Sequence, residues 1–293
     1  MDVLSDAISV MGTGRPTSTR LRVGSPWRYT FAPYDGAGFH VVVRGTGWLL
    51  AEASEPVALG TGDVVLLPRG SAHVLSDGPD ARGAVPFEQA LADPRGTTEF
   101  LCGKYRLDRS RTHPVLAQLP EIVHIPNQVG RHPELRAAID LLGAEVTTER
   151  PGRHAVLSGL LDLLLVYLVR AWLADQPGAG WPQALSDPEI AAVLAALHTE
   201  PGAPWRMTEL AERAGLSRAT LARRFTALTG QPPMTYLTWW RMTTAARLLR
   251  DTDQPLPAIA RQVGYGSPFA FSHAFTRQFG LAPGRYRANP IPA

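Results

Sequence analysis

The chain has 293 residues, 45% of them hydrophobic and 19% charged, which is enough for two modest domains and excludes wholesale disorder. A single cysteine, Cys102, excludes an intramolecular disulfide framework and fits a reducing compartment. The net charge of +3 hides an asymmetry: from Pro201 onward 12 Arg face 4 acids, while the first 200 residues carry 17 basic and 22 acidic side chains, the balance of a nucleic-acid-binding domain joined to something else.

The opening stretch MDVLSDAISVMG carries acids and no basic segment, so it is not a secretory signal. Residues 28–107 read as strands and turns. FHVVVRGTGWLLAE, EPVALGTGDVVLLPRG and TTEFLCGKYRL are rich in Val, Leu and aromatics with Gly-bearing turns between them, which predicts a small antiparallel barrel or sandwich. Residues 79–98 are polar with Gly and Pro and read as a loop. Within the strands, GDVVLLPRGSAHVLSD (62–77) has Gly, five residues, then Pro-x-Gly-x-x-His. It resembles the second motif of the cupin barrel, which implies that His73 points into the barrel. The first cupin motif is not matched: DGAGFHVVVRGTG offers only His40, placed inward by its parity with Val42.

His40, His73 and Cys102 all fall on predicted strands, and imidazole with thiolate suits Zn, Cu or Fe. The trio is therefore a candidate metal site. The alternative is a fold relic at His73, a hydrogen-bonded core imidazole at His40 and a small apolar filler at Cys102. Cys102 as a redox switch is a third reading. His113, in RTHPVLAQLP, reads as structural or as a lid near the pocket.

After about Pro126 the period changes. PELRAAIDLLGAEVTTE has apolar residues at 135, 138, 139, 142 and 146, and HAVLSGLLDLLLVYLVRAWLADQ is apolar on most of its circumference; both are helical patterns. Asp162 and Arg170 inside the second run make it a buried or dimer-forming helix rather than a membrane span. QPGAGWPQALSD (176–187) reads as a linker. DPEIAAVLAALH opens with Asp187 as N-cap and Pro188 at the first helical position. Further helices are expected at about 208–214, 218–228, 234–250, 256–263 and 268–279.

LAERAGLSRATLARRFTALTG (210–230) and IARQVGYGSPFAFSHAFTRQFG (259–280) repeat one another. Ser217, Leu221, Phe225, Thr226 and Gly230 recur fifty residues later as Ser267, Phe271, Phe275, Thr276 and Gly280, while Ala211 and Gly215 recur as Ala260 and Gly264. Each copy is a short helix, a Gly-containing turn and a helix begun by a Ser cap, the layout of a helix-turn-helix. Leu221, Phe225 and Leu228 in the first copy, and Phe271, Phe275 and Phe279 in the second, form the inner faces.

The pattern Gly-Tyr, Ser-x-x-x-Phe-Ser-x-x-Phe, Gly-x-x-Pro-x-x-Tyr-Arg at the end of this region resembles the AraC/XylS family of transcription regulators. The resemblance covers about 185–290 and implies two helix-turn-helix units joined by one helix, Met234 to Arg250. It also implies base-facing positions at Arg218, Ala219, Ala222 and Arg223 in the first unit, and at Pro268, Phe269, Ser272 and His273 in the second. Ser267 and the helix start after it offer free N–H groups to a phosphate, and Arg277 completes the DNA-facing set. The alanines can give only methyl contacts, and His273 stands where the family often has Arg. The front half resembles the family's cupin ligand-binding domains.

The expected fold is α+β and multidomain: an N-terminal antiparallel cupin-like β-barrel, then helices, then an all-α domain. The boundaries are 1–125 for the sensor, 126–180 for a helical linker or dimerisation region, and 185–290 for DNA binding. The expected function is a cytoplasmic, non-enzymatic transcription regulator acting as an activator. Its partners are double-stranded DNA, a small-molecule or metal effector, RNA polymerase and a second copy of itself, with no membrane. The one cofactor the sequence offers a place for is a transition metal, Zn, Cu or Fe, in the barrel. The alternative is a cupin-type metal-dependent enzyme with an accessory helical domain.

Overall fold

A computed structural model of the chain describes residues 2–11, 16–52, 54–106, 113–176, 178 and 180–288. Two compact units result. One is sheet-rich and holds residues 13–109 and 119–175; the other is helical and holds 1–12, 110–118 and 176–293. The chain thus crosses between them more than once, and the cut differs from the linear boundaries expected above. Residues 1–12 and 110–118 fall in the helical unit, whereas the helices expected to link the domains fall in the sheet-rich one.

The sheet-rich unit is built from β1 (Thr17–Val23), β2 (Arg28–Phe31), β3 (Ala37–Arg44), β4 (Gly47–Leu50), β5 (Val57–Leu59), β6 (Val64–Leu67), β7 (His73–Ser76), β8 (Val85–Pro86), β9 (Thr98–Tyr105) and β10 (Val123–Ile125). These form two five-stranded sheets, ordered β1-β9-β3-β6-β10 and β5-β4-β7-β2-β8. The pairings are antiparallel except β2 with β8. Among the described residues no ladder closes them into one barrel; the arrangement is a double sheet, as the cupin resemblance allows. Leu21, Val42, Val65 and Phe100 from one sheet meet Phe31, Leu49, Leu59 and Leu75 from the other in a single core. Alternation explains this, because every second side chain of each strand points to the same inner face. Strand structure begins earlier than residue 28, and the expected 79–98 loop holds β8 and one short turn of 3-10 helix, Phe87–Gln89, before β9 begins at Thr98.

The Pro-x-Gly of the cupin-like motif acts as a turn. Gly70 sits at φ +55, and a Cβ there would lie 2.5 Å from the Tyr34 carbonyl oxygen, so only glycine fits. The turn delivers His73 to the first position of β7.

α3 (Pro133–Val146) and α4 (Arg153–Asp175) pack on one another in this unit. α4 buries Leu161, Leu164, Leu165, Leu168 and Val169, while Val156 and Leu163 stay exposed. It alone among the described helices is long and apolar enough to cross a bilayer.

The helical unit contains α1 (Val3–Met11), α2 (Pro114–Ala117), α5 (Trp181–Ser186), α6 (Pro188–Thr199), α7 (Met207–Arg213), α8 (Arg218–Thr229), α9 (Pro233–Asp251), α10 (Leu256–Gln262), α11 (Pro268–Phe279) and α12 (Pro283–Ala288). The stretch read as a linker is not one throughout. Gly180 takes φ +64 and starts α5, and Trp181 is fully buried. α9 organises the unit. Tyr236, Leu237 and Trp240 in its first half are buried, with the Tyr236 ring 5.7 Å from Phe225 of α8. Met242, Ala245, Ala246 and Leu249 in its second half share a core with Ile259, Val263, Phe271 and Phe275.

Candidate functional site

The repeated helix pairs are two helix-turn-helix units. α7 and α8 form the first and α10 and α11 the second. Their second helices are capped alike: Ser217 accepts from Thr220 N at 3.1 Å and Ser267 from Phe269 N at 3.2 Å. Gly230 and Gly280 close them in the left-handed region, at φ +84 and +72. The turns pass through Gly215 and Gly264, also left-handed. Each of these choices satisfies helix-end groups or a positive φ that other residues resist.

The inner faces are sealed. Leu221 and Phe225 of α8, and Phe271 and Phe275 of α11, have no exposed surface. Two expected core residues, Leu228 and Phe279, are only half-buried. In their place Thr229 is buried and donates to Phe225 O at 2.8 Å. Phe279 lies 4.7 Å from the Phe275 ring and 5.4 Å from Tyr286 of α12, an aromatic partner that periodicity within α11 does not reveal.

The outer faces are open. Arg218, Ala219 and Arg223 are exposed on α8, with Ala222 half-buried between them. Pro268, Phe269, His273 and Arg277 are exposed on α11, and Ser267 and Ser272 are half-buried. Phe269 is 88% exposed, a large apolar surface with no internal purpose. Arg224, next to Arg223, turns the other way and holds Asp187 at 2.5 Å and Glu189 at 3.1 Å. Arg218 and Arg223 have no such acidic partner among the described residues. α9, at 19 residues, spans roughly 28 Å at 1.5 Å per residue, comparable with the ~34 Å between successive major grooves on one DNA face.

In the sheet-rich unit His40, His73 and Cys102 come together. His40 on β3 and Cys102 on β9 are register partners, and Phe31 on β2 faces His73 on β7. His40 Nδ1 lies 2.9 Å from Cys102 Sγ, its Nε2 lies 2.7 Å from His73 Nε2, and His73 Nδ1 lies 2.8 Å from Ser71 O. The protons can be assigned from the last bond inward. His73 Nδ1–H donates to Ser71 O, so His73 Nε2 accepts from His40 Nε2–H, and His40 Nδ1 accepts from the Cys102 thiol.

Burial holds all three uncharged. It pushes the Cys102 thiol up to about 12, lowers His73 to about 4 against the pull of the Ser71 carbonyl, and with neighbouring His73 and Lys104 lowers His40 well below the ordinary imidazole range. These contacts bear on the candidate metal site. The three groups form a hydrogen-bonded row in which the sulfur and His73 lie on opposite edges of the His40 ring, so their donor atoms do not converge on one point. No metal-holding group of three His, Cys, Asp or Glu occurs among the described residues. A neutral, buried thiol is also a poor redox trigger. The row borders a small pocket of about 70 Å³, lined also by Thr17, Ser18, Tyr34, Phe87 and Lys104. Lys104, the chain's single lysine, stands 4.8 Å over the Tyr34 ring.

His113 is neither a lid nor part of that pocket. It belongs to the helical unit, where its Nε2 lies 2.8 Å from Tyr236 Oη.

The family model described as Cupin matches residues 2–174, and the one described as Helix-turn-helix domain matches residues 210–289. AraC-like transcription regulators of Streptomyces lividans and Streptomyces antibioticus are 35% and 36% identical, covering 99% and 100% of this chain and of their own lengths. The DNA-binding domain of AdpA, solved with a target DNA, is 38% identical over 35% of this chain and 91% of its own, with a TM-score of 0.33.

Proposed function

The chain belongs to the AraC-like family of DNA-binding transcription regulators, with a cupin-like N-terminal domain, and from that premise we propose which residues read DNA and what the cupin pocket is for. α8 enters one major groove through Arg218, Ala219, Ala222 and Arg223. α11 enters the next through Pro268, Phe269, Ser272 and His273, with Ser267 and Arg277 on the flanking phosphates. The observation that carries this reading is the contrast between neighbours: Arg224 is tied to two carboxylates, while Arg218 and Arg223 are exposed and have no acidic partner among the described residues. Arg223 is the candidate for a bidentate guanine contact. Phe269 supplies an apolar contact to a thymine methyl.

The effector is a small molecule seated beside the His73–His40–Cys102 row, with Lys104 to meet a polar or anionic group. A metal effector is disfavoured by the divergent donors. The half-covered face of α4 pairs with a second copy, and regulation at a promoter implies contact with RNA polymerase in the cytoplasm.

Titration of the purified protein against a fragment of its own upstream region tests the reading helices. Arg223→Ala is expected to weaken specific binding by about 1–3 kcal/mol while leaving non-specific binding nearly unchanged. Equal specific affinities for the variant and the wild type would show that α8 is misassigned.

A further inference from the structure

Four buried polar groups outside both sites form a second hydrogen-bonded row, entirely within the helical unit. His198 of α6 has Nδ1 2.9 Å from Asp6 Oδ2 of α1 and Nε2 2.6 Å from Tyr236 Oη of α9. Tyr236 Oη also lies 2.8 Å from His113 Nε2, and His113 Nδ1 accepts from Val115 N at 3.1 Å, capping α2. Tyr236 is fully buried and Asp6, His113 and His198 nearly so.

The direction of every proton follows. Val115 N–H occupies His113 Nδ1, so His113 Nε2–H donates to Tyr236. The Tyr236 hydroxyl then donates to His198 Nε2, and His198 Nδ1–H donates to the Asp6 carboxylate. Each group has a partner only because every other group is in place, the condition in which a buried network specifies one arrangement.

The row grips the part of α9 that supports the first reading helix. The Tyr236 ring meets Phe225 of α8, and His198 stacks on Trp240 at 4.1 Å. Asp6 and His113 lie outside residues 210–289 and inside the cupin match. Asp6 precedes β1, which starts at Thr17, and His113 follows β9, which ends at Tyr105. β1 and β9 pair with each other and both line the pocket beside Cys102.

We propose that Asp6 and His113 are positioning residues for DNA reading: seated on His198 and Tyr236, they hold α9 and α8 in the binding geometry. The proposal rests on α8 being a reading helix. If seating favours binding, binding must equally favour seating.

Two measurements on the full-length protein decide it. In the first, operator affinity is compared for wild type, Asp6→Ala, Asp6→Asn, Tyr236→Phe, the Asp6→Ala/Tyr236→Phe double variant and Arg223→Ala, at a temperature where near-UV circular dichroism shows each folded. Asp6→Ala and Tyr236→Phe are expected to lose about tenfold or more, with the double variant no worse than the weaker single, as for residues in one network. Asp6→Asn keeps an acceptor for His198 and should recover most of the loss. Wild-type affinity in Asp6→Ala, with Arg223→Ala impaired, overturns the proposal and leaves α8 as the reading helix. Wild-type affinity in both removes the reading-helix assignment itself. The second measurement needs no variant: adding operator to the wild type should slow hydrogen exchange in residues 3–9 and 114–118. Unchanged exchange there reduces the row to ordinary core and overturns the proposal.

Discussion

The two helix-turn-helix units share caps, turns and spacing, yet they are supported differently. The apolar core of the second is formed by residues between 242 and 286, with Phe271, Phe275 and Phe279 beside Tyr265 and Tyr286. The first rests Phe225 on Tyr236, whose hydroxyl depends on His113 and His198, and through His198 on Asp6. The outer faces diverge as well. α8 offers unpaired guanidinium groups and methyls, whereas α11 offers an exposed aromatic ring, hydroxyls and an imidazole. A duplicated motif has become one reading head with a local apolar core and one whose buried polar support is drawn from distant parts of the chain.

The core substitutions give the largest effect. Phe225→Ala and Phe271→Ala each remove a fully buried ring, at a cost of about 3–5 kcal/mol. The consequences should differ in reach. Loss at Phe271 stays in a local cluster, so a footprint on the operator should keep the half nearest α8 and lose the other. Loss at Phe225 loosens Tyr236 and the groups bonded to it, so binding should fail as a whole. Denaturant melts and footprints on both variants check this, and identical footprints would erase the distinction between the units.

Acid provides a second, smaller separation. Burial, together with neighbouring His198, holds His113 well below the ordinary imidazole range; burial also lowers His198, although Asp6 pulls it back up. A histidine whose folded pKa lies below its unfolded value of about 6.5 binds its proton more readily in the unfolded chain. Stability is then complete above that pH and falls as pH drops below it, by at most about 1.4 kcal/mol per pH unit for each histidine. The second unit buries no histidine among its described residues. Residue-resolved hydrogen exchange between pH 7 and 5 should show protection lost in α8 before α11. Parallel loss in both helices would place the acid-sensitive groups elsewhere.

Local signals made the reading helices legible. Ser before a helix, Gly after it and aromatics every four residues are short-range consequences of backbone geometry, and they located α8 and α11 to within a residue. Strand parity and a Pro-x-Gly turn likewise brought His40, His73 and Cys102 together, though parity says nothing of which ring edge faces which partner. In that orientation the three donors form a row, with His40 between the sulfur and His73. The Asp6–His198 contact joins residues 192 apart, and no periodicity extends so far. α1 did leave a trace: Val3, Leu4 and Ala7 fall on one helical face behind Asp2, whose carboxylate accepts from Ser5 N at 2.9 Å. Trp181 was hidden among glycines and prolines that suit a linker equally well, because its burial depends on partners such as His113 and Tyr236.

The finest test of the asymmetry is ionic. A guanidinium on a phosphate releases a condensed counterion, and each such contact contributes about 0.9 to the slope of log affinity against log salt. α8 carries Arg218 in its first turn and Arg223 near its middle, whereas the outer face of α11 has only Arg277, in its last turn. Arg218→Ala removes a cation from the groove and should therefore shallow the slope, by up to about 0.9, and its cost in affinity should shrink as salt rises. Phe269→Ala should weaken binding by a similar factor at every salt concentration, because a ring against a base displaces no ions. If the Phe269 variant flattened the slope instead, that ring would be acting by placing a neighbouring cation on the backbone, and the two heads would read DNA by the same chemistry after all.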